Sequence, residues 1–409
     1  MIRLRATSAA MFASLENPNF RRYFFGQALS LIGTWMQMVA QSWLVLTMTG
    51  SSVAVGVVVA LQTAPVLLLA PYGGVIADRA DKRKLLIGLQ ASMALQALAL
   101  GLLTVFGAVR FWEICALALL LGLNSSFEVP TRQSFILEMV GRDSVRNAVS
   151  LNSVIVNAAR AIGPAIAGVL IATVGEGVCF LINFGSFVAV ICSLLSMDAS
   201  LLLPSEPALR ARGQLRQGLA YVRRTPDLAL PLAMMAMIGT FTYEFPVSLP
   251  VLAKRSFDLG STGYGFMTAA MGVGAATGGL VTAARGRTGL RAAVLAAGAF
   301  GICVTAAALA PSVALELLAL VLVGAGSVSF VSVGNSTLQL RADPSMRGRV
   351  MSLWSVAFQG STAIGGPIVG GIIAFAGARA GLLVGGATCF AAAAVGALYL
   401  RRPRPVEAT

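Results

Sequence analysis

The chain has 409 residues, 57% of them hydrophobic and 11% charged, which is too little charge to solvate a globular surface of this size. Its net charge of +14 would suggest nucleic acid in a soluble protein, but the basic residues stand between apolar runs and form no single face. Composition therefore excludes a soluble nucleic-acid binder and identifies a polytopic membrane protein.

The segment from Met1 to Glu16 is short, weakly apolar and without a cleavage signal, so it does not read as a signal peptide. A membrane crossing needs roughly 20 apolar residues. Twelve segments meet that need: 22–47, 52–77, 85–106, 111–132, 146–174, 178–197, 228–253, 263–284, 290–310, 313–340, 349–376 and 380–400. With the N-terminus in the cytoplasm, 25 of the 30 basic residues fall on that side. Arg110, Lys254, Arg255 and Arg379 fall outside it, and Arg160 alone lies within a span. The positive-inside rule thus places both termini in the cytoplasm and the protein in the cytoplasmic (inner) membrane.

Between the sixth and seventh segments lies the longest loop. Within it Leu215, Leu219 and Val222 recur at helical spacing, with arginines on other faces. This predicts a short amphipathic helix on the anionic leaflet, ended by Pro226. The loop divides the chain into a bundle at 1–197, a linker at 198–226 and a bundle at 227–409.

The two bundles carry a repeat. RNAVSLNSVIVNAARAIGPAIAG, from Arg146 to Gly168, returns as RVMSLWSVAFQGSTAIGGPIVGG, from Arg349 to Gly371. At a constant offset, Gly163-Pro164 matches Gly366-Pro367, whereas Arg160 meets Ala363. The shared residues read as architecture and the unmatched arginine as function. Parallel six-helix repeats are the mark of one transporter architecture.

Between the second and third segments stands GGVIADRADKRK, from Gly73 to Lys84. It resembles the loop signature of the major facilitator superfamily, in Gly74, Asp78, Arg79, Asp81, Lys82 and Arg83. The resemblance implies twelve helices in two pseudo-symmetric bundles, all-α, with Asp78 holding the bundles together in one access state. The corresponding stretch of the second half, Gly278 to Arg287, keeps glycines and arginines but lacks the acid. The Gly163-Pro164 segment resembles the helix-five motif of superfamily antiporters. With NPNFRRYFFG (Asn17 to Gly26) and GQLRQGLAYVRRTP (Gly213 to Pro226), it is similar to the enterobactin-exporter branch of drug:proton antiporters. In the superfamily, helices 1, 4, 7 and 10 line the central cavity.

A charge inside a span costs at least ~2.5 kcal/mol at the helix centre and is a functional candidate by default. Arg160 lies 14 residues beyond Arg146, about 21 Å along a helix. Glu128 on the fourth segment is expected to pair with Arg160 in at least one access state, and also has Arg132 at i+4. Glu244 on the seventh is the candidate for binding a proton, with a purely structural role as the alternative. Glu113 and Glu316, near segment starts, are expected to be solvated. Polar positions on the lining helices nominate Thr34, Gln37, Gln41, Asn124, Tyr243, Asn335 and Gln339 as cavity residues, against a plain packing role.

The chain has no histidine, and its five cysteines, Cys115, Cys179, Cys192, Cys303 and Cys389, sit unpaired in apolar runs as buried packing residues. It also lacks a G-x-x-x-x-G-K-S/T phosphate loop. The expectation is a secondary transporter, not an enzyme, with no cofactor or metal and no nucleic-acid partner. It is expected to be monomeric, and to export a small amphipathic compound (drug, siderophore or secondary metabolite) against protons by alternating access. An uptake permease is the rival reading, and a non-transporting membrane receptor or scaffold a more distant one.

Overall fold

Hydrocarbon offers no water to the backbone, so each spanning segment must satisfy its own hydrogen bonds. The structure, a computed structural model, describes residues 13–203, 214–344 and 346–401, with the side chains at 70, 71, 73–75, 77, 78 and 214–216 outside that description. Among the described residues, eleven helices are long and apolar enough to cross a membrane. They are α1 (Pro18–Thr49), α2 (Ser52–Arg79), α3 (Lys82–Val105), the long helix Phe111–Val174, α6 (Glu176–Leu195), α7 (Pro226–Ser256), α8 (Ser261–Arg285), α9 (Leu290–Leu309), α10 (Val313–Arg341), α11 (Arg347–Ala376) and α12 (Ala378–Arg401).

The long helix has 64 residues. Straight, it would run about 96 Å, three times the hydrocarbon thickness. It breaks at Gly141, whose φ of 72° and ψ of 177° lie in a region that other residues enter at a cost. Its two arms, 111–140 and 142–174, are α4 and α5. Twelve crossings result, as expected.

The start of α1 explains the NPNF sequence. Asn17 caps the helix, accepting from the backbone N–H groups of Asn19 and Phe20, and its own amide donates to the Met139 carbonyl. Asn19, fully buried, exchanges two hydrogen bonds with the Asp198 backbone. The motif therefore ties α1 to the ends of α4 and α6.

Glycine lets these helices approach to backbone contact. A Cβ on Gly122 of α4 would come within 2.3 Å of the Gln62 carbonyl of α2, and one on Gly324 of α10 within 2.0 Å of the Met271 carbonyl of α8. The same device joins the first six helices to the last six. Gly56 of α2 meets Gly366 of α11, and Gly168 of α5 meets Gly265 of α8. The repeat thus folds into two equivalent crossings, α2 on α11 and α5 on α8.

Every hydrogen bond, ring stack and cation–π contact between the two sets of six, among the described residues, lies at the end opposite the termini. The Ser52 hydroxyl donates to the Gly370 carbonyl, and those of Ser261 and Thr262 to the Gly168 carbonyl. Trp43 stacks on Tyr264 at 6.1 Å. Lys254 sits over the Trp43 ring and Arg255 donates to the Gly50 carbonyl. Two of the basic residues that depart from the charge bias therefore clasp the two sets together. Close approaches continue inward to Gly272 against the Arg160 carbonyl and Gly360 against Leu67.

Three expectations change. The linker helix, Gln214–Arg224, is docked on protein and not merely laid on lipid: Val222 is buried, Gly218 abuts Arg349, and Tyr221 donates to Asp343. Helix α7 is discontinuous. Its regular turns stop at Phe241 and resume at Phe245, because Pro246 cannot donate to a preceding carbonyl. Among the cysteines, Cys179 and Cys389 are buried but Cys192 is exposed, Cys115 and Cys303 being between.

Candidate substrate and coupling site

The α7 break puts Glu244 at the first turn of the resumed helix, with φ −82° and ψ 36°. Its side chain is 1% exposed, and neither carboxylate oxygen has a hydrogen-bond partner; Thr362 lies alongside without completing one. The carboxylate rests on Gly365-Gly366 of α11, where a Cβ on Gly365 would stand 2.7 Å from Oε1. Directly across Gly366 is the Gly56 carbonyl of α2. The acid thus lies beneath the crossing that holds the two sets of helices together. Its surroundings bring no counter-charge, since 52–76 of α2, 350–376 of α11 and 380–400 of α12 contain no acidic or basic residue.

Arg160 occupies the other crossing. Its guanidinium lies 5.1 Å from the Trp35 ring centroid on α1, and its backbone touches Gly272 of α8. Gly163, one turn on, permits this by letting α1 approach, for a Cβ there would meet the Ile32 carbonyl at 2.7 Å and Trp35 Cβ at 2.8 Å. Arg160 Nε is buried without a hydrogen-bond partner, and the side chain has no ion pair among the described residues. Tyr243 of α7 lies within its electrostatic reach. The Tyr243 hydroxyl donates to the Ser327 carbonyl, and its ring packs on Phe300 and Phe358 at 5.6 and 5.3 Å.

Glu128 is not the partner of Arg160 in this conformation. It accepts from Arg132 at 2.9 Å, one turn on, and both side chains are largely buried. The i+4 neighbour has the advantage because a single helix fixes the pair.

Several expected cavity residues are packing residues here. Gln37, 2% exposed, joins Gln96 of α3 and Asn183 of α6 at 3.1 and 2.7 Å. Gln41 accepts from Gln62, and Asn124 donates to Ser92. These amides bond to one another within the first six helices, although the Gln41 and Gln96 amide nitrogens are buried without a partner. Thr34 is half-buried and donates back to the Ser30 carbonyl. Asn335 is half-buried and Gln339 exposed, bonded to one another at 2.5 Å.

In the loop signature, Asp81 caps α3 by accepting from the Lys84 backbone, and Arg83 donates to the Leu194 and Leu195 carbonyls at the end of α6. Lys82 forms a buried ion pair with Glu138 of α4 at 2.7 Å. Lys82 and Arg83 thus secure α3 to α4 and α6, while Asp81 acts within its own helix. Arg79 is exposed. The Asp78 side chain, and with it the inter-bundle role expected of Asp78, lies outside the described ones, and Gly74 is placed only by its backbone within α2.

Glu316 corrects the expectation of solvation. It is fully buried, with both oxygens lacking a hydrogen-bond partner, in electrostatic reach of Arg379. Arg379 also donates to the Ala308 carbonyl and covers the Phe257 ring. Position near a helix start does not reveal burial, because the packing of α9 and α12 decides it. Glu113 behaves as a cap, accepting from the Arg110 backbone.

Comparison with known proteins fits this architecture. A family described as transmembrane secretion effector, of the major facilitator superfamily, matches residues 9–408. The staphyloferrin A transporter of Staphylococcus aureus is 36% identical over 176 residues, a region covering 42% of this chain and 44% of that protein. The enterobactin exporter EntS of Escherichia coli is 27% identical over 360 residues, 87% of this chain and 85% of EntS. Among solved structures, the nucleoside transporter NupG superposes with a TM-score of 0.77 at 12% identity, covering 94% of this chain and all of that one. The POT family transporter PepTSo gives 0.74 at 13% identity, covering 94% and 98%. These structural likenesses bear on the fold alone. With twelve crossings in two related sets and a family match along nearly its whole length, the chain belongs to the transmembrane secretion effectors of the major facilitator superfamily, a family of transporters and not of enzymes.

Proposed function

We propose that this transporter exports a small amphipathic compound in exchange for protons, by rocking of two six-helix bundles, 1–197 and 227–409, about the site between them. The observation that carries the reading is Glu244, a buried acid with no counter-charge, set under the α2–α11 crossing. An isolated carboxylate there is costly, so this conformation favours Glu244 holding its proton. Loss of that proton would place a charge against Gly365-Gly366 and loosen the crossing, which links proton release to opening.

With the charge bias setting the termini in the cytoplasm, the clasp among Lys254, Arg255, Trp43 and Tyr264 lies on the outer face, and this conformation is open inward. The protein sits in the inner membrane as a monomer and needs no cofactor, the proton gradient being its energy source. The names of its relatives, a staphyloferrin A transporter and an enterobactin exporter, favour a siderophore or a similar secondary metabolite over other cargo.

The test is transport in energised inside-out vesicles, wild type against Glu244→Gln. We expect the variant to exchange substrate across the membrane without accumulating it, and to leave an imposed pH gradient intact when substrate is added. Uphill transport with undiminished gradient dissipation by the variant would remove the proton role.

A further inference from the structure

We infer that Arg160 and Trp35 form the recognition site for a negatively charged group of the substrate, so that the cargo is an aromatic or otherwise amphipathic carboxylate-type anion and not a lipophilic cation. This rests on the transporter reading and deepens it by naming the charge of the cargo. Four observations lead to it. Arg160 is the one basic residue set deep within a span, and arginine keeps its charge in proteins. Glu128, the acid expected to pair with Arg160, is held by Arg132 at 2.9 Å. Glu244 lies against Gly365-Gly366 of α11, while Arg160 lies against Trp35 of α1. Arg160 Nε is buried with no acceptor, and the guanidinium hydrogen-bonds to none of the described residues. A planar fork of donors with no acceptor is suited to a carboxylate, which it can grip with two parallel hydrogen bonds.

The surroundings define the remainder of the ligand. Trp35 covers one face of the guanidinium, leaving its edge for an anion. Asn157, one turn earlier on α5, is half-buried and adds a polar group on the same face. On the other set of helices Tyr243 and Phe358 stack edge to face at 5.3 Å. An anionic head on Arg160 with an apolar body against these rings would touch both sets of helices at once, which a substrate must do to bias their rocking. The same cation repels a positively charged drug entering that space.

The experiment measures binding by calorimetry to the full-length protein in lipid-free detergent, which keeps phosphate headgroups from occupying the site. The probes are 2-naphthoate, its neutral isostere 2-naphthamide, and tetraphenylphosphonium. We expect wild type to prefer the carboxylate over the amide by tenfold or more and not to bind the cation. Arg160→Gln should abolish the preference, Arg160→Lys should restore part of it, and Glu128→Gln should leave it unchanged. Circular dichroism and thermal unfolding establish that each variant is folded. A preference that survives in Arg160→Gln, a wild type that favours the amide or the cation, or a folded wild type that ignores the carboxylate each overturns the assignment. A preference that vanishes in Glu128→Gln instead returns Arg160 to an intramolecular ion pair. Uncoupler-sensitive export, assayed separately in vesicles, distinguishes failure of this site from failure of the transporter cycle.

Discussion

Replacing Gly56 by alanine adds a single methyl group where α2 meets α11. Its Cβ would stand 2.2 Å from the Gly366 carbonyl oxygen and 3.0 Å from the Pro367 nitrogen, both rigid backbone atoms. Ordinary contact begins at 3.4 Å, so the helices must part by about 1.2 Å. Overpacking of this kind costs about 1–3 kcal/mol. Because the crossing joins the two sets of helices, that cost falls on the conformation closed at the end away from the termini. It shifts the balance towards the opposite state by about 5- to 150-fold. Gly371→Ala is the control, further along α11 beyond Gly366 with nothing within 4 Å of its Cβ. Spin labels on Thr49 and Phe375, both exposed at that end, report the separation by pulsed electron–electron resonance. Gly56→Ala should lengthen the distance distribution and Gly371→Ala should not. Unchanged distances together with unchanged transport in Gly56→Ala would refute the claim that this crossing is a gate.

Glu128→Gln leaves the largely buried Arg132 without its counter-charge. We expect a loss of roughly 3 kcal/mol in thermal unfolding in detergent, with proton coupling preserved; an unchanged Tm with lost coupling would make Glu128 the titrating acid after all. Val222→Asp sets a charge in the buried seat of the linker helix, whereas Leu219→Asp, at 40% exposure, does not. Hydrogen exchange across Gln214–Arg224 should quicken tenfold or more in the first variant alone, and equal exchange in both would mean that the helix rests on lipid rather than on protein.

Hydropathy and basic-residue bias were enough to place twelve crossings, since both follow from the membrane as solvent and need no knowledge of packing. The offset repeat was equally informative: Gly163-Pro164 and Gly366-Pro367 stand at equivalent helices because a glycine is needed wherever two backbones touch. Arg160 and Glu244 also stood out in the sequence, as charges that lipid does not tolerate unassigned.

Their partners did not. Glu128 satisfied Arg132 and not Arg160, a choice between two nearby cations that depends on side-chain direction within one helix. Gln37 and Gln41 turned into the bundle, because a polar stripe on a helix does not say whether it meets water or another amide. The break in α7 had its signal in Pro246, yet only the folded chain placed Glu244 at that break and under Gly366. Lys254 and Arg255 stood out as departures from the charge bias, and Glu316 as an acid near a helix start, but neither signal foretold the clasp or the burial. What the sequence determined by itself was the number of crossings, their order, and which residues the membrane makes expensive. Which of those residues meet, and which are left without a partner, was decided by tertiary packing, because distances between helices depend on crossings formed by residues far apart in the chain.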